Sequence, residues 1–130
     1  MKLWLDDVRA PWDYGAKDYW WARTVPQAIY MISNLNLIGE EWEDASLDHD
    51  LGACKDCLEG MSPEEWLSAN DYRSMPNCEH FGTGYTFVRW MIENNIFPNK
   101  KPRVHSMNPV GRKRMEQDID KAWRDLHGTD

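Results

Sequence analysis

Hydrophobic and polar positions along this chain predict short strands that alternate with helices. Brief apolar or β-prone runs predict strands at Lys2–Leu5, Tyr19–Arg23, Ala45–Asp48 and Arg103–Ser106. The stretch Arg9–Gly15 contains proline and glycine, so it predicts a loop between the first two strands and not a helix. Elements that alternate in this way indicate a mostly parallel four-stranded sheet flanked by helices.

Apolar residues at helical spacing, together with capping residues, predict three helices. Thr24 is the expected N-cap of a helix over Pro26–Asn34, a second helix covers Thr83–Glu93, and Asn108 caps a last helix that has Pro109 in its first turn. The side chains expected to face the core are Ile29, Ile32 and Ser33 in the first helix, Phe87, Trp90 and Met91 in the second, and Met115, Ile119, Ala122, Trp123 and Leu126 in the third.

Length and composition fit one globular domain over residues 1–130. The net charge is −7, which argues against a protein that binds nucleic acid by bulk electrostatics but leaves room for a small phosphate ligand in one pocket. No apolar run approaches the ~20 residues of a membrane span, and acidic Asp6 comes too early for a signal peptide. We therefore expect a cytoplasmic protein with no membrane segment. The sequence leaves its oligomeric state open.

The stretch from Leu51 to Gly82 differs in composition from the rest of the chain. It contains all three cysteines, and the one short helix predicted there is Ser62–Leu67. A C-x₂-C pair is followed after twenty residues by C-x-H, which supplies three thiolates and one imidazole for a closed, structural zinc site. A redox C-x-x-C pair or three unrelated thiols are the alternatives. The expected zinc ligands are Cys54, Cys57, Cys78 and His80.

Carboxylates follow two of the predicted strands at the point where each strand ends. Asp6 and Asp7 follow the first strand, and Asp48 and Asp50 stand at the end of the third with His49 between them. In a parallel sheet such strand ends meet at one edge, where ligands bind. A group of carboxylates there favours a hard divalent cation such as Mg²⁺ or Mn²⁺, whereas each aspartate taken alone is as well explained by a turn.

The fourth predicted strand ends on His105 and Ser106, and basic or amide side chains stand on the neighbouring loops. An imidazole can exchange a proton near neutral pH, so we interpret His49 and His105 as acid and base, with Asp50 beside them. Ser106 lacks the G-x-S-x-G context of a nucleophile. A pairing role for Arg9 and a core role for His105 are the simpler alternatives. The residues expected to hold phosphate are Arg9, Ser106, Asn108 and Arg112.

The order of these pieces resembles the receiver domains of response regulators. In those domains an acidic pair ends the first strand, an aspartate ends the third, a hydroxyl residue ends the fourth, and Mg²⁺ lies on the acids. Asp6, Asp7, Asp48 and Ser106 would take these places. The chain departs from that pattern because the first crossover helix and a fifth strand with the receiver lysine are missing, which argues against phosphorelay signalling.

A closer resemblance is to a receiver-like family named for cyclic-phosphate processing, found in bacteria and phages. The motifs that carry it span Leu5–Arg9, Arg23–Thr24, Ser46–Gly52, Thr83–Tyr85 and His105–Met115. The resemblance implies a truncated, flavodoxin-like fold, and it implies that residues 53 to 82 are an added zinc knuckle. It also implies a phosphoric diester hydrolase.

These expectations combine into one leading function and one rival. The leading function is a metal-dependent phosphodiesterase acting on a cyclic phosphate, at an RNA 2′,3′-cyclic end or in a cyclic nucleotide. The rival is a module that binds a nucleotide or a partner without turnover, as a sensor or sponge. The substrate, the metal at the aspartates and the division of acid and base roles between the histidines are left open.

Overall fold

A computed structural model of the chain describes residues 1–60 and 78–128. Within them, four strands form one parallel sheet: β1 (Lys2–Leu5), β2 (Tyr19–Ala22), β3 (Asp44–Leu47) and β4 (Arg103–Val104). The strand order is β2-β1-β3-β4, and every pairing is parallel. The predicted receiver-like α/β fold is therefore confirmed.

Four α-helices lie in the described residues: α1 (Val25–Ser33), α2 (Lys55–Glu59), α3 (Gly84–Asn94) and α4 (Pro109–His127). The caps match the sequence prediction, because Thr24 and Asn108 accept backbone N–H groups from Gln27 and Gly111. The short helix α2 was not predicted. The predicted helix over Ser62–Leu67 lies outside the described residues.

The first two strands are joined without a crossover helix. A short 3₁₀ turn, Pro11–Tyr14, ends at Gly15, whose φ of 77° lies in the left-handed region. The chain then passes directly into β2, which pairs parallel to β1 from Lys2↔Tyr19 to Leu5↔Ala22. The sequence predicted that no crossover helix lies between β1 and β2, and this prediction is confirmed. Strand β2 forms one edge of the sheet.

The core lies between the sheet and the helices, and it corrects two details of the predicted helix faces. In α1 the buried side chains are Val25, Ala28 and Ile32, which share one face, whereas Ser33 is exposed. In α4 the last buried position is Ile119, and Leu126 in the last turn is 45% exposed. None of the helices in the described ranges is long and apolar enough to cross a membrane.

Candidate functional site

A cavity of about 230 Å³ lies beyond the carboxyl ends of β1 and β3. From β1 the chain proceeds to β2 on one side, whereas from β3 it proceeds to β4 on the other, so the cavity is at the point where the strand order reverses. Open parallel sheets bind ligands at this position. The lining residues are Asp6, Asp7, Val8, Arg9, Asp48, Asp50 and Met107.

Asp6 is the most buried acid of the cavity and is held on both carboxylate oxygens. Its Oδ1 accepts the backbone N–H groups of Val8 and Arg9 at 2.9 and 2.8 Å, and its Oδ2 lies 3.0 Å from Nε2 of His105. Burial opposes ionisation, but these hydrogen bonds outweigh it and lower the pKa of Asp6. Asp6 is therefore fixed in orientation and charged.

Asp7 and Asp48 complete a group of three carboxylates. One oxygen from each of Asp6, Asp7 and Asp48 lies within 4.8 Å of the others. Burial, followed by repulsion from Asp6, raises the pKa of Asp7 and that of Asp48 to about 6. Two of these three converging carboxylates resist ionisation, and the group could hold a metal ion because the charge of the ion would offset the repulsion between them.

Asp50 lines the cavity beside this group, and both of its carboxylate oxygens have partners in the described part of the chain. Its Oδ1 lies 2.9 Å from Nδ1 of His49, and its Oδ2 accepts a hydrogen bond from the Asn108 side chain at 3.3 Å. The predicted His49, Asp50 and Asn108 are thus brought together, with Asp50 facing the cavity. His49 and Asn108 contact Asp50 but are not among the lining residues.

His105 reaches the site through Asp6. Its Nδ1 lies 2.7 Å from the Ser46 hydroxyl, its Nε2 contacts Asp6, and its ring stacks on Trp4 at 4.1 Å between centroids. Both ring nitrogens therefore have partners inside the protein. Sequence reasoning assigned no role to Ser46 or Trp4. The strand register was the available signal, because it pairs these two residues across β1 and β3.

The structure places the expected phosphate-binding residues in different surroundings. Arg9 lines the cavity, and no ion pair of its guanidinium is found within the described residues. Ser106 is buried, and its hydroxyl accepts the backbone N–H of Asn108. Arg112 is not among the lining residues, and its Nε lies 3.1 Å from Glu116, one helical turn away on the exposed side of α4. The structure therefore does not bring Arg112 to the cavity.

Two glycines at helix starts, which sequence reasoning did not single out, allow close packing at the site. A Cβ at Gly84 would lie 1.8 Å from the carbonyl oxygen of Asp48, and a Cβ at Gly111 would lie 2.5 Å from the His49 ring. Glycine at these positions lets the first turns of α3 and α4 pack directly on residues 48–50, which we call the aspartate loop. The available signal was the presence of glycine inside predicted helices, where it is unfavourable without a packing reason.

Cys54, Cys57, Cys78 and His80 form a second cluster, as predicted. The thiols of Cys54 and Cys57 each lie 3.4 Å from Nδ1 of His80. Zinc bonds of ordinary length at tetrahedral angles place sulfur and nitrogen about 3.6 Å apart. Burial opposes ionisation of Cys78, but backbone hydrogen bonds from Cys54 and Phe81 outweigh it and lower its pKa to about 7. The cluster can therefore hold a metal ion such as zinc.

A short parallel sheet with acidic residues at its central strand ends defines a receiver-like protein. The family model for the cyclic-phosphate processing receiver domain matches residues 1–121 of the 130 in the chain. The chain therefore belongs to this family. Searches of curated proteins and of solved structures found no match.

Proposed function

We propose that the protein is a metal-dependent phosphodiesterase that hydrolyses a cyclic phosphate. The observation that carries this proposal is the convergence of Asp6, Asp7 and Asp48 in one cavity with the guanidinium of Arg9, which forms no ion pair within residues 1–60 and 78–128. Carboxylates alone would repel a phosphate. Three acids that can hold a cation, beside an arginine that can hold an anion, suit a phosphate diester.

The three carboxylates are the residues that would hold Mg²⁺ or Mn²⁺. Such a cation supplies charge neutralisation of the phosphate and activation of a water molecule. Arg9 would hold a phosphate oxygen from the same cavity. Its positive charge there also favours the charged form of Asp48. Since the whole chain is acidic, this local arrangement is what would admit an anionic ligand.

Among the acids that line the cavity, Asp50 is the one outside the proposed metal-binding group. We assign it the acceptor of the proton from the attacking water, and the donor of that proton to the oxygen released when the cyclic ester opens. His49 would hold Asp50 in position through the 2.9 Å contact. His105, whose ring nitrogens are both engaged, would act by orienting Asp6. We therefore propose Asp50, which lines the cavity, and neither imidazole for direct contact with substrate.

The test is a hydrolysis assay with purified protein in Mg²⁺ or Mn²⁺, followed by ³¹P NMR. Nucleoside 2′,3′-cyclic and 3′,5′-cyclic phosphates are the substrates. We expect Asp50→Asn to lower kcat by about 10²–10⁴-fold. Asp13→Asn, an exposed aspartate in the 3₁₀ turn, is the matched control and should retain full activity. Wild-type turnover no greater than that of His105→Ala would overturn the proposal.

A binding module without turnover is the second candidate. The observation in its favour is that neither His49 nor His105 is among the residues that line the cavity. This candidate predicts stabilisation by a nucleotide that is recovered intact. Mass spectrometry of the ligand after incubation separates it from the enzyme.

We further propose that the Cys₃His cluster holds zinc and that this zinc is structural. Four protein ligands fill a tetrahedral shell and leave no position for a reacting water. The cluster brings Cys54, four residues after Asp50, next to Cys78 and His80. Zinc would thereby close the chain segment that separates the aspartate loop from α3.

A further inference from the structure

We infer that an open groove beside the cavity is a binding site for the nucleobase of the substrate. This inference rests on the proposed function, because it places the phosphate of the same ligand at Asp6, Asp7 and Asp48. The groove has a volume of about 440 Å³. We call it the Trp21 groove, and it is lined by Trp21, Arg23, Pro26, Gln27, Tyr30 and Met31.

Two residues of the Trp21 groove are hydrogen-bonded to the backbone of Asp6 and Asp7, which are among the proposed metal ligands. The groove lies at the end of β2 and the start of α1, and β2 is the neighbour of β1 in the sheet. Trp21 Nε1 donates to the carbonyl oxygen of Asp6 at 2.7 Å. Arg23 donates from Nε and Nη2 to the carbonyl oxygen of Asp7 at 3.0 and 2.7 Å. A ligand bound at the carboxylates can therefore extend over the edge strand into this groove.

The side chains of the groove suit a planar heteroaromatic ring. The Arg23 guanidinium lies 4.9 Å from the centroid of the Trp21 ring, which is cation–π distance. Arg23 is itself exposed, and Tyr30 on α1 is 71% exposed. Nucleobases stack on aromatic rings and on guanidinium planes of this kind.

Polar groups in the groove are available to the edge of a base. Gln27 Oε1 accepts the backbone N–H of Arg23 at 2.8 Å, which fixes the side chain and leaves its amide hydrogens as donors. Within the described residues, no carboxylate forms an ion pair with Arg23. A cation on an aromatic ring beside an oriented amide favours a base over a purely apolar partner.

The experiment compares two ligands that share a five-membered cyclic phosphate and differ in the base. Adenosine 2′,3′-cyclic phosphate carries a base, whereas glycerol 1,2-cyclic phosphate does not. Binding is measured by NMR titration of the full chain in Mg²⁺, in an Asp50→Asn background that slows turnover. Tyr30→Ala removes a groove ring, and Leu37→Ala, at an 82% exposed residue of the Leu35–Ile38 turn, is the matched surface control.

We expect Tyr30→Ala to weaken adenosine 2′,3′-cyclic phosphate binding about 5- to 150-fold, the usual range for loss of one aromatic side chain that stacks on a base. Glycerol 1,2-cyclic phosphate binding should be unchanged, and Leu37→Ala should alter neither. Equal binding of adenosine 2′,3′-cyclic phosphate by Tyr30→Ala and its Asp50→Asn parent would overturn the inference. A dimer that Tyr30→Ala disrupts would also overturn it, since a second copy would then cover the groove.

Failure of the hydrolase proposal gives a different result. Wild-type protein that binds the nucleotide in a Tyr30-dependent way without hydrolysing it would refute the enzyme and support the base site. Wild-type protein that hydrolyses both ligands with equal kcat/KM, unaffected by Tyr30→Ala, would support the enzyme and refute the base site.

Discussion

At the scale of single residues, the site is a group of carboxylates with opposite tendencies. Asp6 is stabilised in its charged form by His105 and two backbone N–H groups. Burial, followed by repulsion from the charge of Asp6, raises the pKa of Asp7 and that of Asp48 to about 6. The three carboxylates repel one another because one oxygen from each lies within 4.8 Å of the others. Repulsion of this kind costs stability unless a cation is bound, which makes it measurable.

Asp7→Asn should stabilise the protein at pH 7 in buffer without Mg²⁺ or Mn²⁺. The pKa of Asp7 is about 6 in the folded state against 3.8 for the free side chain. The folded state therefore binds more protons between pH 4 and 6, and the contribution of Asp7 to stability falls as the pH rises through this window. We expect a gain of roughly 1–2 kcal/mol at pH 7, allowing for the partial exposure of Asp7, which shrinks towards pH 4.

Urea unfolding at both pH values measures this effect, with Asp13→Asn as an exposed control. Addition of Mg²⁺ at pH 7 should stabilise the wild type more than Asp7→Asn. A gain that is the same at pH 4 and pH 7 would show that folding does not raise the pKa of Asp7.

At the scale of elements, the site depends on helix starts that approach strand ends very closely. The first turn of α3 contacts the Asp48 backbone at Gly84, and the first turn of α4 contacts His49 at Gly111. The Gly84 N–H also donates to the His49 carbonyl oxygen at 2.8 Å. Glycine is therefore required at these positions for space, although both glycines lie inside helices.

Gly111→Ala should destabilise the protein even though alanine favours helix by about 1 kcal/mol over glycine. The new Cβ would lie 2.5 Å from the His49 ring, so the ring or the helix must shift, at a cost of about 1–3 kcal/mol. Thermal unfolding measures the change, and Val110→Ala, at an 80% exposed position of the same turn, is the control. A Gly111→Ala protein more stable than the wild type would contradict the close packing of α4 on His49.

Zinc removal should loosen the segment between the aspartate loop and α3. We expect freshly prepared protein to contain one zinc ion per chain, released by a chelator together with exposure of three titratable thiols. Cys78→Ser should lose the ion and lower Tm, whereas Asp48→Asn should retain it. Zinc-free protein with three freely reactive thiols at the outset would refute the zinc assignment.

At the scale of the whole molecule, the sequence predicted the sheet more fully than the site. Hydrophobic runs are local, so the four strands and the caps at Thr24 and Asn108 could be found from the chain itself. The strand ends also predicted the convergence of Asp6, Asp7 and Asp48. Which side chain faces the cavity depends on contacts between distant residues, such as Ser46 with His105, and these are not encoded in any local pattern.

Two features of the structure do not follow from local sequence patterns. Arg112 stands one helical turn from Glu116 and pairs with it, although its place near the start of α4 predicted a phosphate contact. The Trp21 groove forms only because β2 lies beside β1, a pairing that brings Arg23 to Asp7. The parallel topology thus joins the cavity and the groove along one edge of the sheet.

Binding of a divalent cation by the three aspartates is the step on which the proposed hydrolysis depends, and a Mn²⁺ titration followed by electron paramagnetic resonance tests it most directly. Zinc-loaded wild type should bind one Mn²⁺ per chain at pH 7.5. Asp48→Asn should abolish this binding, and His105→Ala, which frees Asp6 from its imidazole partner, should weaken it about 10- to 100-fold. Wild type that binds no Mn²⁺, or binds it as tightly as Asp48→Asn does, would contradict a metal-dependent phosphodiesterase.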